Sequence, residues 1–250
     1  RHRGQAVSDA EARVASAAVI VAAVVCPHPP LLLRELSGAQ DAVPELRAAC
    51  HDALAAGLAG SPDLVVAVGG ADEAREWDAS LPVEVRRFGT TDAPHVAGLP
   101  LSLGVAKRLL EESGWVGPLR LLTLPWDADP ATVESLARTV GELEGRVLLL
   151  VMGDGSTRRG EKAPGYLDER AFAYDRETGR ALEEGDSEAL ARLDPGLGEE
   201  LMVLGRAAFA VLGEAVAGQG ARARARVLYS DDPYGVQYTV AVWSLDQLQL

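Results

Sequence analysis

The residue whose type and setting most strongly suggest chemistry is His28. It stands in the run CPHPP (26–30), directly after the apolar, β-branched stretch Val19–Val25. Such a stretch is typical of a strand buried on both faces, and prolines, which cannot donate to a strand ladder, predict that the strand ends there. Because ligands of open α/β sheets bind at the carboxyl ends of the strands, the sequence predicts that His28 faces a cleft.

Three further segments rich in Gly, Asp and Ser follow predicted strands. They are Gly69–Glu73, Gly153–Thr157 and Asp231–Gly235. Since the carboxyl ends of parallel strands meet at one edge of a sheet, these segments could line the same cleft as His28. Turns demand the same residue types, so turn formation alone is the alternative interpretation.

A metal centre is one chemistry that these segments could support. His28 would supply an imidazole, and carboxylate oxygens could come from Asp72, Glu73, Asp154, Asp231 or Asp232, although their spacing matches no diagnostic metal motif. His95 lies in another predicted loop that could approach the cleft, whereas His51 falls in an amphipathic helix and is predicted to be solvated.

The polar loop after the strand Arg146–Met152 is the longest of its kind in the chain. It carries Arg158, Arg159 and Lys162, whose charges oppose the acidic balance of the protein. Guanidinium groups bind carboxylate and phosphate with two parallel hydrogen bonds, so this loop is a candidate anion site. The alternative is a solvated loop whose charges pair with its own acidic residues.

The elements that must position these residues alternate between strand and helix patterns. Buried strands are predicted at Val19–Val25, Asp63–Val68, Leu119–Leu124 and Arg146–Met152, with a short one at Val83–Phe88. Helices are predicted at 41–58, 101–112, 129–143, 167–184, 187–193 and, as one long helix, 195–217. Strands at 222–230 and 236–243 close the chain as a hairpin.

This alternation predicts a single α/β domain with a mainly parallel sheet flanked by helices and a carboxyl-terminal hairpin. Residues 19–250 form that domain, and residues 1–18, which have charges of both signs and no apolar period, are predicted to be a tail or extension.

The composition of the chain argues against some classes of binding partner. The chain has 250 residues with 24 Lys+Arg against 37 Asp+Glu, a formal net charge of −13. That balance argues against nucleic acid as a partner, because binding to phosphate backbones depends on clustered basic residues. The longest early apolar run is about half of what a membrane span needs. Two cysteines, Cys26 and Cys50, give no disulfide framework, and the prediction is a cytoplasmic protein without a membrane partner.

Three stretches together resemble the LigB-like superfamily, the class III extradiol ring-cleavage dioxygenases, and within it the uncharacterised actinobacterial-type members. They are VIVAAVVCPHPPLL (19–32), GDGSTRR with the following KAPGYLDERAFAYD (153–175), and DDPYGVQYTVAVW (231–243). The resemblance covers roughly Val19–Trp243. It implies an α/β fold in which active members hold non-haem Fe(II) by two His and one carboxylate and open a catechol ring with molecular oxygen.

The resemblance assigns roles to individual residues. His28 matches the first metal-ligand His of the family. No His stands in Gly69–Glu73, where the second ligand is expected, and Asp72 is the substitute there. Thr157 occupies the position of the family's acid/base His, and a threonine hydroxyl cannot take up a proton near neutral pH. Asp231 or Asp232 would be the carboxylate ligand. The metal site is therefore expected to be degenerate.

The leading hypothesis is a LigB-like protein without standard Fe(II) extradiol activity that binds a small anionic, phenolic or other aromatic ligand. Its expected catalytic group is His28, Asp154, Thr157 and Lys162, and its expected ligand contacts are Ser156, Arg158, Tyr166 and Tyr234. The first alternative is an active dioxygenase that uses Fe(II) or another divalent metal with carboxylates in place of a His. The second is a non-catalytic subunit or scaffold, with no metal, that forms a homodimer or pairs with a separate subunit.

Overall fold

The computed structural model describes residues 18–37, 40–85 and 98–247. Its strands are β1 (Val19–Cys26), β2 (Leu64–Ala71), β3 (Arg75–Trp77), β4 (Leu119–Pro125), β5 (Arg146–Met152), β6 (Ala221–Asp231) and β7 (Tyr238–Gln247). Its helices are α1 (Arg34–Ser37), α2 (Pro44–Leu58), α3 (Leu101–Glu112), α4 (Pro130–Gly141), α5 (Arg170–Glu184), α6 (Ser187–Ala191), α7 (Pro195–Glu200) and α8 (Arg206–Gln219). The predicted tail, residues 1–18, lies outside this description except for Ala18.

All seven strands belong to one sheet in the order β3-β4-β2-β5-β1-β7-β6. The central strands β4, β2, β5 and β1 run parallel, while β3, β7 and β6 pair antiparallel to their neighbours. This arrangement confirms the predicted α/β domain with a mainly parallel sheet and a carboxyl-terminal hairpin.

Helices cover the sheet on both faces. Along β1, Ile20, Ala23 and Val25 pack into the core with α4 and α8, while Val24 and Cys26 pack into the core with α2 and α3. A strand buried on both faces has no polar alternation, which explains the continuous apolar runs of the central strands. The carboxyl ends of β1, β2 and β5 consequently lie side by side at one edge.

One helix predicted from the sequence is interrupted in the structure. The segment 195–217, predicted as one helix, is two helices, α7 and α8, separated at 201–205. Met202 there has a left-handed backbone (φ 52°), and the Gly205 N–H donates to the Asp154 carbonyl at 2.7 Å. The helix is interrupted because this backbone bonds to the loop after β5 instead of continuing the helical ladder.

Two smaller predictions were also wrong. Within the described part of 83–88, Val83 forms only an isolated bridge with Leu99, because the strand that pairs with β4 is β3. His51 is not simply solvated: its Nδ1 lies 3.2 Å from Ser113 Oγ and its Nε2 lies 3.1 Å from Glu112 Oε2, at the end of α3.

Among the described residues, no helix combines the length and the apolar character that crossing a membrane requires.

Candidate functional site

The loop after β5, residues 153–159, is held in place by backbone hydrogen bonds to three separate parts of the fold. Gly153 N–H donates to the Cys26 carbonyl at 3.0 Å, and Gly155 N–H donates to the Gln237 carbonyl at 2.8 Å. Gln237 N–H donates back to the Ser156 carbonyl at 3.0 Å. With the bond from Gly205 to Asp154, these contacts fix the loop against β1, β7 and α8, as a ligand-binding loop on a rigid scaffold requires.

Two glycines allow this packing. A Cβ added to Gly153 would lie 2.6 Å from Gly205 Cα, and a Cβ added to Gly205 would lie 2.7 Å from the Asp154 carbonyl oxygen. Both distances are too short for any side chain, so the start of α8 approaches the loop as closely as the two backbones permit.

His28 lies at the carboxyl end of β1, as predicted, and only 7% of its surface is exposed. Its backbone N–H donates to Asp154 Oδ1 at 2.8 Å. The ring Nδ1 lies 3.6 Å from the same oxygen, beyond hydrogen-bond distance, and has no partner in the described chain. Asp154 therefore fixes the backbone of His28 while one ring nitrogen stays available.

Arg47 anchors the chain that follows His28. This arginine on α2 is 3% exposed and donates to the Leu32 carbonyl at 2.7 Å and the Leu31 carbonyl at 3.2 Å. Its Nε donates to Asp41 Oδ2 at 2.7 Å, and this hydrogen bond is the main reason why the pKa of Asp41 is lowered. The proline-rich segment is thus fixed on both sides of His28.

Thr157 is buried, and its Oγ1 has no hydrogen-bond partner among the residues described. A Cβ added to Gly165 would lie 2.6 Å from Arg158 Cγ, 3.0 Å from Met202 Sδ and 3.1 Å from Thr157 Oγ1, so Gly165 packs closely against these three side chains. Arg158, next in the chain, donates from Nη1 to the Glu200 carbonyl at 2.7 Å, but its buried Nε is likewise unpaired in the described structure.

Ser156 has a different role from the predicted ligand contact. It is fully buried, its N–H donates to Asp175 Oδ1 at 2.9 Å, and its hydroxyl donates to Asp175 Oδ2 at 2.5 Å. Burial raises the pKa of Asp175, against the opposing effect of these hydrogen bonds and of Arg159. Because its hydroxyl is already used by Asp175, Ser156 positions the loop.

Arg159 also departs from the predicted anion site. Its Nη1 donates to Asp175 Oδ2 at 3.2 Å and its Nε donates to Asp232 Oδ2 at 2.6 Å. Two carboxylates of the protein thus occupy the guanidinium group, which joins α5 to the turn between β6 and β7.

The predicted metal ligands do not come together. Asp72 is exposed in the turn after β2, and Asp232 is bonded to Arg159. Across residues 18–37, 40–85 and 98–247, no three His, Cys, Asp or Glu side chains are grouped so that they could hold a metal ion. The set His28, Asp72 and Asp232 is therefore not assembled as a ligand group, and His95 lies outside the described residues.

The remaining predicted residues lie on the surface around this loop. Lys162 is exposed and has no hydrogen bond or ion pair within the described chain. Tyr166 is 72% exposed with a left-handed backbone (φ 59°), and Tyr234 is 47% exposed. The turn after Tyr234 contacts the same loop, since the Arg159 N–H donates to the Gly235 carbonyl at 3.0 Å.

Two titratable groups behind the loop are held in their neutral forms. Burial, reinforced by the charge of Asp154, raises the pKa of Tyr238. A hydrogen bond with Cys50, together with burial, raises the pKa of the Cys26 thiol well above its ordinary value. A buried thiol with a raised pKa is a poor nucleophile, so Cys26 is not a candidate nucleophile at the end of β1.

Sequence reasoning missed three residues of this site. Asp175 lies within α5 and Gln237 directly precedes β7, and only the tertiary structure brings these two residues to the loop. Met202 falls in the segment predicted as continuous helix. The one available signal was Gly205 at this break, because glycine is unfavourable inside a helix.

Comparisons with known proteins add little to this description. No family model matches the chain, and no curated protein matches it. Among solved structures, the chain is similar to the crystal structure of the uncharacterized protein JW3007 from Escherichia coli, with 12% sequence identity and a TM-score of 0.48, over 89% of this chain and 99% of that one.

Proposed function

We propose that the protein binds a small phenolic or anionic compound at the carboxyl edge of the sheet, against His28 and the loop 153–159. The supporting observation is that His28 Nδ1, Thr157 Oγ1 and Arg158 Nε are buried and unpartnered within the described residues. Among the described residues, one further buried side-chain atom has no hydrogen-bond partner, Arg108 Nε on α3. A buried polar group without a hydrogen bond costs about 1–3 kcal/mol, so a ligand that pairs with these atoms recovers that free energy.

The donor and acceptor types suit such a ligand. A neutral imidazole nitrogen accepts a hydrogen bond from a phenolic hydroxyl, and the Thr157 hydroxyl can donate or accept. The Arg158 Nε–H donates to a carboxylate. Exposed Tyr166 and Tyr234, which flank the loop, offer aromatic surface for the ring of the ligand.

This proposal uses no metal. Among the described residues, no three His, Cys, Asp or Glu side chains are grouped to hold a metal ion, and Asp154 beside His28 accepts the His28 N–H, so these side chains do not fit a site of two His and one carboxylate. Ring cleavage by bound iron is the alternative function, and a non-catalytic subunit is the second.

Calorimetric titration with catechol and with benzoate tests the proposal. We expect at least one of them to bind with one site per chain, and 1,2-dimethoxybenzene, which lacks hydroxyl groups, not to bind. Thr157→Val removes the hydroxyl at nearly constant shape and should weaken binding about tenfold, the effect of one lost hydrogen bond. Thr139→Val, at an exposed site on α4, is the matched control and should bind like the wild type.

Two results would contradict the proposal: no binding of either compound, which would favour the subunit alternative, or equal binding by Thr157→Val and the wild type. Elemental analysis after anaerobic Fe(II) loading addresses the iron alternative. About one equivalent of iron in the wild type and none in His28→Ala would favour that alternative.

A further inference from the structure

A groove separate from the His28 site opens between α5 and the hairpin of β6 and β7. At one end of α5 the two layers are in close contact, since a Cβ on Gly185 would lie 2.8 Å from Ala223 Cβ. Two turns earlier, a Cβ on Gly179 would meet nothing within 4 Å. Gly179 lines a groove of about 710 Å³, within the size range of small-molecule sites.

The charge on the rim of this α5 groove is set by arginines. Arg176 and Arg180 lie one turn apart on α5 and both line the groove. Arg180 pairs with Glu184 at 3.1 Å, whereas Arg176 has no ion pair or hydrogen bond among the residues that the structure describes. The acidic side chains on the groove are Asp175, which is bonded to Ser156, and Glu183. In a protein of net charge −13, an unpaired guanidinium beside a cavity is suited to an anion.

The walls add apolar surface and hydroxyl groups. Phe172 from α5 and Val227 from β6 line the groove, and Ser230 and Thr239 contribute hydroxyls from the hairpin. Arg159, which also lines the groove, lies over one face of the Phe172 ring, 4.5 Å from its centroid. Thr239 is 8% exposed, so its side chain belongs to the floor. Sites for small organic ligands commonly combine apolar walls with a few polar groups that fix orientation.

We infer that the α5 groove binds a small organic anion, whose carboxylate or phosphate group pairs with Arg176 and whose flat apolar body lies between Phe172 and Val227. This site is distinct from the His28 site. The two share Arg159, Asp175 and Gln237, which line the groove and belong to the loop 153–159 or bond to it, whereas His28, Thr157 and Arg158 do not line the groove.

Titration with 2-naphthoate, a flat apolar carboxylate, tests this inference on the full chain. The groove should bind one molecule, and inorganic pyrophosphate, which lacks an apolar body, should bind more weakly. Arg176→Gln should weaken 2-naphthoate binding about tenfold, the effect of one lost charge-assisted hydrogen bond. Arg192→Gln is the matched control, because Arg192 is an exposed helical arginine outside the groove, and it should leave the binding unchanged.

A second pair of variants fills the space directly. Gly179→Leu places a side chain in the groove and should abolish 2-naphthoate binding, and it should still fold because leucine favours helix more than glycine does. Gly218→Leu makes the same change on α8, also facing open space, and should bind like the wild type. The thermal midpoint of each variant checks that it is folded.

The inference is overturned if Gly179→Leu or Arg176→Gln binds 2-naphthoate as tightly as its control does, or if pyrophosphate binds more tightly than 2-naphthoate. It is also overturned if Thr157→Val, but not Gly179→Leu, loses the binding, since the ligand would then lie at the His28 site. Absence of catechol and benzoate binding at the His28 site would leave this test unaffected.

Discussion

Replacing Ser156 by alanine tests whether the loop after β5 is positioned by Asp175. The substitution removes the hydroxyl that donates to Asp175 Oδ2 at 2.5 Å and creates almost no cavity, because the two side chains differ by one oxygen. Asp175 keeps the Ser156 N–H and Arg159 as partners, so it is not left alone in the interior.

The magnitude follows from the kind of bond that is lost. A hydrogen bond to a charged group contributes about 1.5–3 kcal/mol, so we expect a loss of about 2 kcal/mol in the free energy of unfolding. At an m value of about 2.5 kcal/mol per molar urea, the midpoint of urea unfolding falls by about 0.8 M. Ser113→Ala, which removes a partly exposed bond to His51, is the control and should cost less than about 0.5 kcal/mol.

A double-mutant cycle with Asp175→Ala completes the test. If Ser156 acts through Asp175, the loss caused by Ser156→Ala should largely disappear in the Asp175→Ala background, with a coupling energy of about 1–2 kcal/mol. Additive losses, or a Ser156→Ala variant as stable as the Ser113→Ala control, would refute the reasoning.

Two further predictions concern charged groups near the site. Arg47→Met should cost about 3 kcal/mol in urea unfolding, because it leaves Asp41, the buried Leu32 carbonyl and the partly buried Leu31 carbonyl without their donor; a loss below about 1 kcal/mol would contradict this. Arg47 lowers the pKa of Asp41, so the stability that this pair contributes is fully present above pH 3.8 and is lost as the pH falls through the lowered pKa of Asp41. The Arg47→Met variant should not show this loss of stability at low pH. Burial raises the pKa of Asp175, so its contribution is present below pH 3.8 and lost as the pH rises through the raised value. Asp175→Asn should remove this loss in unfolding measured from pH 4 to 7, and an unchanged pH slope would contradict it.

The strands of this fold could be predicted from the sequence because their signal is local. The runs at 19–25 and 146–152 are apolar without alternation, and both are central strands covered on two faces. The N-terminus of α4 was equally clear: Asp129 caps it by accepting the Thr132 N–H at 2.8 Å, and Pro130 occupies its first turn.

The contacts within the site could not be predicted in the same way, because they depend on tertiary structure. The sequence placed His28 and Asp154 at strand ends, but it did not reveal that one carboxylate oxygen accepts the His28 N–H. Arg159 looked available for an anion until the fold brought Asp175 and Asp232 to it from 16 and 73 residues away. The break between α7 and α8 is likewise set by the bond from Gly205 to Asp154, across the chain.

The most direct test of the central claim is to follow the imidazole signals of His28 by NMR during a catechol or benzoate titration. His28→Gln identifies which signals belong to His28, and His51, whose ring nitrogens face Ser113 and Glu112, serves as the internal reference. The proposed site predicts that the His28 ring signals shift and saturate with one ligand per chain while those of His51 stay in place. Saturable binding with no change at His28 would contradict it.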